Sequence, residues 1–197
     1  MHTIKKSFFS LFFIFSSIDL ISQDIEEIIV KGNWRESKSI EQDSSIVILK
    51  NNILESQPVK HFENLSYLVP NLNFSASDSR ARHFQIRGIG ERSGYERTPN
   101  SAVGILIDDV DYSGQGGIAT TFDIDQVEVH RGPQGSRIGS NALAGLIYIK
   151  TKEPTTEYEG ITEITSGSYG TLNAGIAFGG PSAFNQNLTY RLVLRKD

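Results

Sequence analysis

The sequence contains no cysteine, a single methionine and a single tryptophan. Without cysteine there is no disulfide framework, no thiolate zinc or iron–sulfur site and no cysteine nucleophile, so an exported chain of this kind has to be held together by packing. Net charge is small as well: 19 Lys and Arg against 23 Asp and Glu leave −4. The basic residues are dispersed rather than gathered into a stripe, which excludes a phosphate-tracking surface and a nucleic-acid partner. His2, His61, His83 and His130 lie far apart with no paired spacing, and no Ser, His and Asp grouping stands out. Asp108, Asp109 and Asp111 lack the loop length and terminal glutamate of a calcium-binding EF-hand and read as a solvated turn after a buried strand. Gly88, Gly90 and Gly94 have the wrong final spacing for a dinucleotide loop, and no helical run follows them. The expectation is a protein that is not an enzyme and that carries no metal or cofactor.

What is present points to β structure. Eighteen glycines and 10% aromatics in 197 residues suit a turn-rich β protein rather than a helical bundle. At the start, Lys5 and Lys6 precede an apolar run from Phe8 to Ile18 that Asp19 interrupts, the layout of a secretory signal with removal near Gln23. The run is too short to span a bilayer, and no cysteine follows it to accept a lipid. Glu26-Glu27-Ile28-Ile29-Val30-Lys31-Gly32 is a short β-branched segment in polar surroundings, an extended stretch with a free edge that suits strand addition by a partner. Residues 33–44 are polar, without period, and read as a linker.

The apolar run Ile46-Val47-Ile48-Leu49 is the first core strand, ended by Asn51-Asn52. Phe62, Leu65, Leu68 and Val69 recur three and four apart and predict a helix from about His61 to Val69, stopped by Pro70. Phe84-Gln85-Ile86 enters a turn at Arg87-Gly88, residues 91–101 read as an exposed loop, and Ala102 to Val110 reads as a hairpin. In Thr121 to Lys152, Val127 and Val129 alternate with Glu128 and His130, the pattern of a half-buried strand. It stops at Gly132-Pro133, and β character resumes at Leu146-Ile147-Tyr148-Ile149. Beyond Tyr158 the alternation lengthens: Leu172, Ala174, Ile176 and Phe178 share one face of a strand, and Leu188, Tyr190, Leu192 and Leu194 one face of another. Apolar and polar residues alternating over about ten positions suit transmembrane barrel strands, and equally an antiparallel sheet with one wet face.

Several of these stretches carry a resemblance. Asp125-Gln126-Val127-Glu128-Val129-His130-Arg131-Gly132-Pro133-Gln134-Gly135, then Gly139-Ser140-Asn141-Ala142 and Ile147 to Pro154, resembles the plug-domain signature of TonB-dependent outer-membrane receptors. Leu68 to Phe74 is similar to the phrase in which that family usually has glycine where Asn71 stands. Phe84 to Gly90 is similar to "I-x-I-R-G-I-G", and Ala102 to Val110 to "A-V-x-x-Y-I-D-G-V" with Asp109 in place of glycine. Glu26 to Gly32 resembles the TonB box, the segment captured in the periplasm by the energy-transducing protein TonB.

The resemblance implies an α+β plug, a small mixed β-sheet with short helices, followed by the first antiparallel strands of a transmembrane β-barrel. The expected division is a signal peptide over 1–22, TonB box and linker over 23–44, plug over 45–154 and barrel start over 155–197. Plugged transporters close with about twenty-two strands, so the chain is expected to be a fragment cut within the first of them. The implied function is gated uptake of a scarce ligand at the bacterial outer membrane: a ferric siderophore foremost, otherwise haem, cobalamin or an oligosaccharide. The implied partners are TonB, the chain's own barrel and outer-membrane lipid. Loops 77–82 and 91–101 offer Arg80, Arg82, Arg92, Tyr95 and Arg97 to an anionic, oxygen-rich ligand. Arg87 and Arg131 each close a strand before a glycine, and the resemblance implies a charge lock to glutamates of the inner barrel wall. The alternative is a soluble periplasmic or envelope β-rich binding module with the same signal and no barrel. Continuation of the reading frame past Asp197 with alternating strands separates the two.

Overall fold

A computed structural model describes residues 28–31, 37–38, 45–56, 61–76, 81–93, 99–116, 119–168, 172–185 and 187–196. The signal-like run and most of the linker lie outside these residues.

The centre is a mixed five-stranded sheet. Its strands are β3 (Ile46–Lys50), β6 (Val103–Ile107), β7 (Val110–Asp111), β8 (Ile124–His130) and β9 (Gly145–Thr151), in the order β3-β8-β9-β6-β7. β9 runs antiparallel to β8 and parallel to β6. Two short strands precede it, β1 (Ile29–Val30) paired with β2 (Ser37–Lys38), and β4 (Leu72–Ser75) pairs with β5 (His83–Ile86) in a separate hairpin. The helices are short: α1 (Asn51–Ser56), a 3-10 helix over Phe62–Tyr67, and α2 (Gly135–Ile138). Asn51-Asn52 does end the first strand, but by opening α1, where Asn51 donates to the Glu55 carboxylate one turn on.

The expected helix over 61–69 is a tighter coil. Phe62 and Leu65 sit three apart, so they eclipse in a 3-10 helix and both bury, and Leu68 donates its N–H back to the Leu65 carbonyl. Phe62 meets Phe84 edge to face, with ring centroids 5.5 Å apart, and these rings anchor a core with Leu49, Val127, Val129, Ile147 and Ile149.

Two tight turns among the described residues are each built from two residues with positive φ. Arg87 (54°) and Gly88 (80°) turn between Ile86 and Ile89, and Asp108 (45°) and Asp109 (70°) turn between β6 and β7. This left-handed pair matches the twist of a two-residue hairpin, and Asp tolerates it better than most residues. Asp108 accepts from both the backbone N–H and the hydroxyl of Thr151 (3.1 and 2.6 Å), so it fastens β9 rather than standing free in solvent.

β8 is not half-buried. Val127 and Val129 face the main core, and Gln126, Glu128 and His130 on the other face are buried as well: the segment around β1 covers Gln126 and Glu128, and His130 lies beside buried Leu146 of β9. Nor is loop 91–101 exposed throughout: Glu91 is buried, and its carboxylate accepts the Ala102 N–H at 2.7 Å.

After β9 come three antiparallel strands, β10 (Glu159–Ser166), β11 (Leu172–Pro181) and β12 (Thr189–Lys196), in an open sheet. On β11, Leu172, Ala174, Ile176 and Phe178 face outward and Asn173, Gly175, Ala177 and Gly179 are covered, the alternation read from the sequence. Tyr190, Leu192 and Leu194 of β12 are likewise exposed.

Candidate functional site

The first site is the docking place of the segment around β1. Val30 is wholly buried, while Ile28 and Ile29 are partly exposed. The backbone is gripped from the sheet by side chains: the Lys31 N–H donates to Glu128 Oε1 (2.5 Å), and Gln126 Nε2 donates to the Ile29 carbonyl (3.1 Å). Lys31 Nζ adds an ion pair to Asp125 at 2.9 Å. On the other edge, Ile29 and Val30 pair with Lys38 and Ser37. The expected free edge is therefore taken on both sides, for the physical reason that a β-branched strand with one wholly apolar position finds a sheet face to cover. Glu26, Glu27 and Gly32 lie outside the described residues.

The second site joins the plug to the three following strands. Arg191 of β12 holds Asp123 with two bonds, Nε to Oδ2 at 2.7 Å and Nη2 to Oδ1 at 2.6 Å, and also reaches Glu159 of β10. Both partners are nearly sealed from solvent, the side chains being 5% (Arg191) and 2% (Asp123) exposed. Asp123 has a φ of 60°, which turns the chain into β8, and its carbonyl accepts the Lys152 N–H. Next to it, Phe122 lies against Gly175 of β11 and beneath the guanidinium of Arg195, 5.8 Å from the ring centroid. A Cβ at Gly175 would stand 3.0 Å from the Phe122 ring, so the absent side chain makes the seat. This pairing of a plug carboxylate with a strand arginine has the opposite polarity to the lock expected of Arg87 and Arg131, and the sequence reading missed it. Asp123 was legible only as the residue before the strand, and Arg191 only as one polar position in an alternating run.

Arg87 and Arg131 come together at the Pro70–Asn71 turn. The Arg87 N–H donates to the Asn71 carbonyl, and its side chain is exposed at the turn tip. Arg131 donates to Ser45 Oγ (2.7 Å) and to the Pro70 carbonyl (3.4 Å), with Nε unpartnered among the described residues. Of the loop residues, Arg82 and Arg92 are exposed, whereas Arg80, Tyr95 and Arg97 lie outside the described residues. Among those described, no group of His, Cys, Asp and Glu has the arrangement of a metal site.

A small mixed sheet with short helices, a docked N-terminal segment and antiparallel strands that clasp the start of β8 define a plug. The family described as "TonB-dependent Receptor Plug Domain" matches residues 38–146, more than half of the chain, and the chain belongs to that family. It is 27% identical over 125 residues to the ferripyoverdine receptor of Pseudomonas aeruginosa, covering 63% of this chain and 15% of the relative. To the pesticin receptor of Yersinia pestis it is 29% identical over 102 residues, covering 51% and 15%. The chain thus spans a small part of the length of these relatives. Among solved structures, the ferric yersiniabactin uptake receptor of Yersinia pestis superposes with a TM-score of 0.62 at 25% identity, over 72% of this chain and 22% of that one. The ferripyoverdine receptor of the Pseudomonas aeruginosa outer membrane, bound to ferripyoverdine, superposes with a TM-score of 0.67 at 20% identity, over 82% and 21%.

Proposed function

We infer that this chain is the plug and the first barrel strands of an outer-membrane receptor that admits a ferric siderophore to the periplasm when TonB pulls on residues 26–32. The observation that carries the reading is the grip on the Ile29–Lys31 segment, which runs through the backbone carbonyl of Ile29 and the N–H of Lys31. A segment held by backbone groups can be handed to any partner that offers a strand edge, with little demand on its side chains. The clasp of Asp123 by Arg191 supports the placing of the plug against barrel strands, because a plug inside a lumen needs a fixed point on the wall.

In this reading the outward apolar faces of β11 and β12 meet lipid, and Arg87 and Arg131 at the Pro70–Asn71 turn meet carboxylates of the inner barrel wall. The loops bearing Arg80, Arg82, Arg92, Tyr95 and Arg97 meet the ligand from outside. The siderophore class rests on the names of the relatives and on the suitability of guanidinium groups for oxygen-rich anions.

Proline at Ile28 tests the coupling. It removes one backbone donor from the segment and leaves the plug core untouched. In cells carrying the full-length receptor, Ile28→Pro should abolish energy-dependent iron uptake while ferric siderophore still binds at the cell surface. Uptake at the wild-type rate would remove residues 26–32 from the mechanism.

A further inference from the structure

Glu91 opens a polar stretch and yet is only 6% exposed. A carboxylate in that position has to be bonded within the protein, and Oε1 accepts the N–H of Ala102, the residue that leads into β6, at 2.7 Å. The Glu91 carbonyl is held as well, by two donors from the β4–β5 hairpin: Ser75 Oγ at 3.0 Å and Gln85 Nε2 at 3.2 Å. Ser75 and Gln85 project from the face of that hairpin opposite Phe84. Just before Glu91, a Cβ on Gly90 would stand 2.4 Å from the Phe84 carbonyl oxygen, so the missing side chain is what lets this backbone come down onto β5. Ser75 also holds Arg82. Its carbonyl accepts the Arg82 N–H (3.3 Å), and the Arg82 carbonyl accepts the Gly116 N–H (3.3 Å). The backbone under Arg82 and the backbone leading into Arg92 are thus fastened to one serine, while both guanidinium-bearing side chains are exposed.

We propose that Ser75 and Glu91 are positioning residues that set the spacing of Arg82 and Arg92 for an anionic, oxygen-rich ligand. The proposal rests on the ligand role given above to the loops that carry these arginines, and it adds residues that act through them. Two cations on free loops repel each other, so a spacing that suits one ligand has to be imposed by the backbone beneath them. Fixing that backbone before the ligand arrives also lowers the ordering cost of binding. Glu91 serves this purpose from the interior: its carboxylate ties the foot of one loop to β6, and its carbonyl ties the same foot to β4 and β5. Ser75 joins that foot to the other loop, with its hydroxyl on Glu91 and its carbonyl on Arg82. Buried Glu91 stands behind the surface on which its neighbour Arg92 is displayed.

The test has one readout without ligand and one with it. Spin labels at Arg82→Cys and Arg92→Cys, both exposed positions, report their separation in the full-length receptor in outer-membrane vesicles by double electron–electron resonance. The distance distribution should be narrow, and Glu91→Ala and Ser75→Ala should each widen it roughly twofold, since each frees a loop foot. Glu91→Gln keeps an oxygen for the Ala102 N–H and should restore the narrow distribution. Glu91→Ala empties a buried position and can unsettle the hairpin, so Ser75→Ala is the decisive variant if the former does not assemble. Unchanged distributions in the alanine variants would overturn the proposal. In the unlabelled receptor, Glu91→Ala should weaken binding of a ferric siderophore that supports growth of the parent cells roughly tenfold, the worth of a hydrogen bond to a charged group. Glu91→Gln should recover most of that loss. Added to Arg82→Ala with Arg92→Ala, Glu91→Ala should cost nothing further, and a full additional loss there would also overturn the proposal, because Glu91 would then act on something else. Affinity untouched by Arg82→Ala with Arg92→Ala would take the ligand off these loops, which is the failure of the reading above. Widened distributions would in that case still establish that Ser75 and Glu91 set the loop spacing.

Discussion

Asp123 and Arg191 are 68 residues apart and meet through two hydrogen bonds, and the pair is nearly closed to water. A buried ion pair of this geometry adds little over an apolar contact of equal size, but removing one member strands the other. Arg191→Ala in the full-length receptor should therefore loosen the attachment of the plug by about 3–5 kcal/mol. The loosening should appear as leakage of large antibiotics across the outer membrane. Asp123→Ala with Arg191→Ala should leak less than Arg191→Ala alone, and a double variant that leaks more than either single variant would show that the two residues act independently.

Gly145 opens β9 where that strand crosses close to β8. A Cβ there would lie 2.4 Å from the His130 carbonyl oxygen, and backbone does not move aside as a side chain does. Gly145→Ala should cost about 3 kcal/mol or more and show as a lowered unfolding midpoint in urea. Gly132, around which a Cβ meets nothing within 4 Å, should tolerate alanine with little change.

The edge-to-face pair of Phe62 and Phe84 fixes the 3-10 helix and the β4–β5 hairpin on the sheet. Phe62→Ala should cost about 3–5 kcal/mol, and Phe62→Leu considerably less, since most of the buried volume is kept. Thermal unfolding followed by tryptophan-independent circular dichroism measures both.

Much of this architecture was legible in the chain, and the reason is local. The alternation of Leu172, Ala174, Ile176 and Phe178 marks a face whatever it packs on, and the turns at Arg87-Gly88 and Asp108-Asp109 are settled by residues that accept positive φ. Apolar spacing at three and four residues suits an ordinary helix and a 3-10 coil alike, and the choice falls to how tightly Phe62 and Leu65 pack. What stayed hidden depends on distant partners. Glu128 and His130 alternate with valines as a solvated face would, and it takes the segment docked 97 residues away in sequence together with the cluster of Leu106, Ala142, Leu146 and Tyr148 to make that face an interior. Asp123 and Arg191 carry no mark of each other.

Simultaneous replacement of Arg92, Tyr95 and Arg97 by alanine should weaken ferric siderophore binding to the intact receptor roughly tenfold or more, if guanidinium and phenol groups of this loop grip the ligand. Isothermal titration with a ferric siderophore that supports growth of the parent cells reads the effect, and unchanged affinity would move the ligand site off this loop.

The central claim is that residues 26–32 are the handle by which an energised periplasmic partner opens the plug. The direct measurement is binding of the purified periplasmic domain of TonB to the full-length receptor in detergent, followed by surface plasmon resonance. Wild-type receptor should bind it, Ile28→Pro should not, and Gln126→Ala should bind it more tightly because its segment is released more often. Equal binding by the wild type and Ile28→Pro, or no binding by either, would contradict the account.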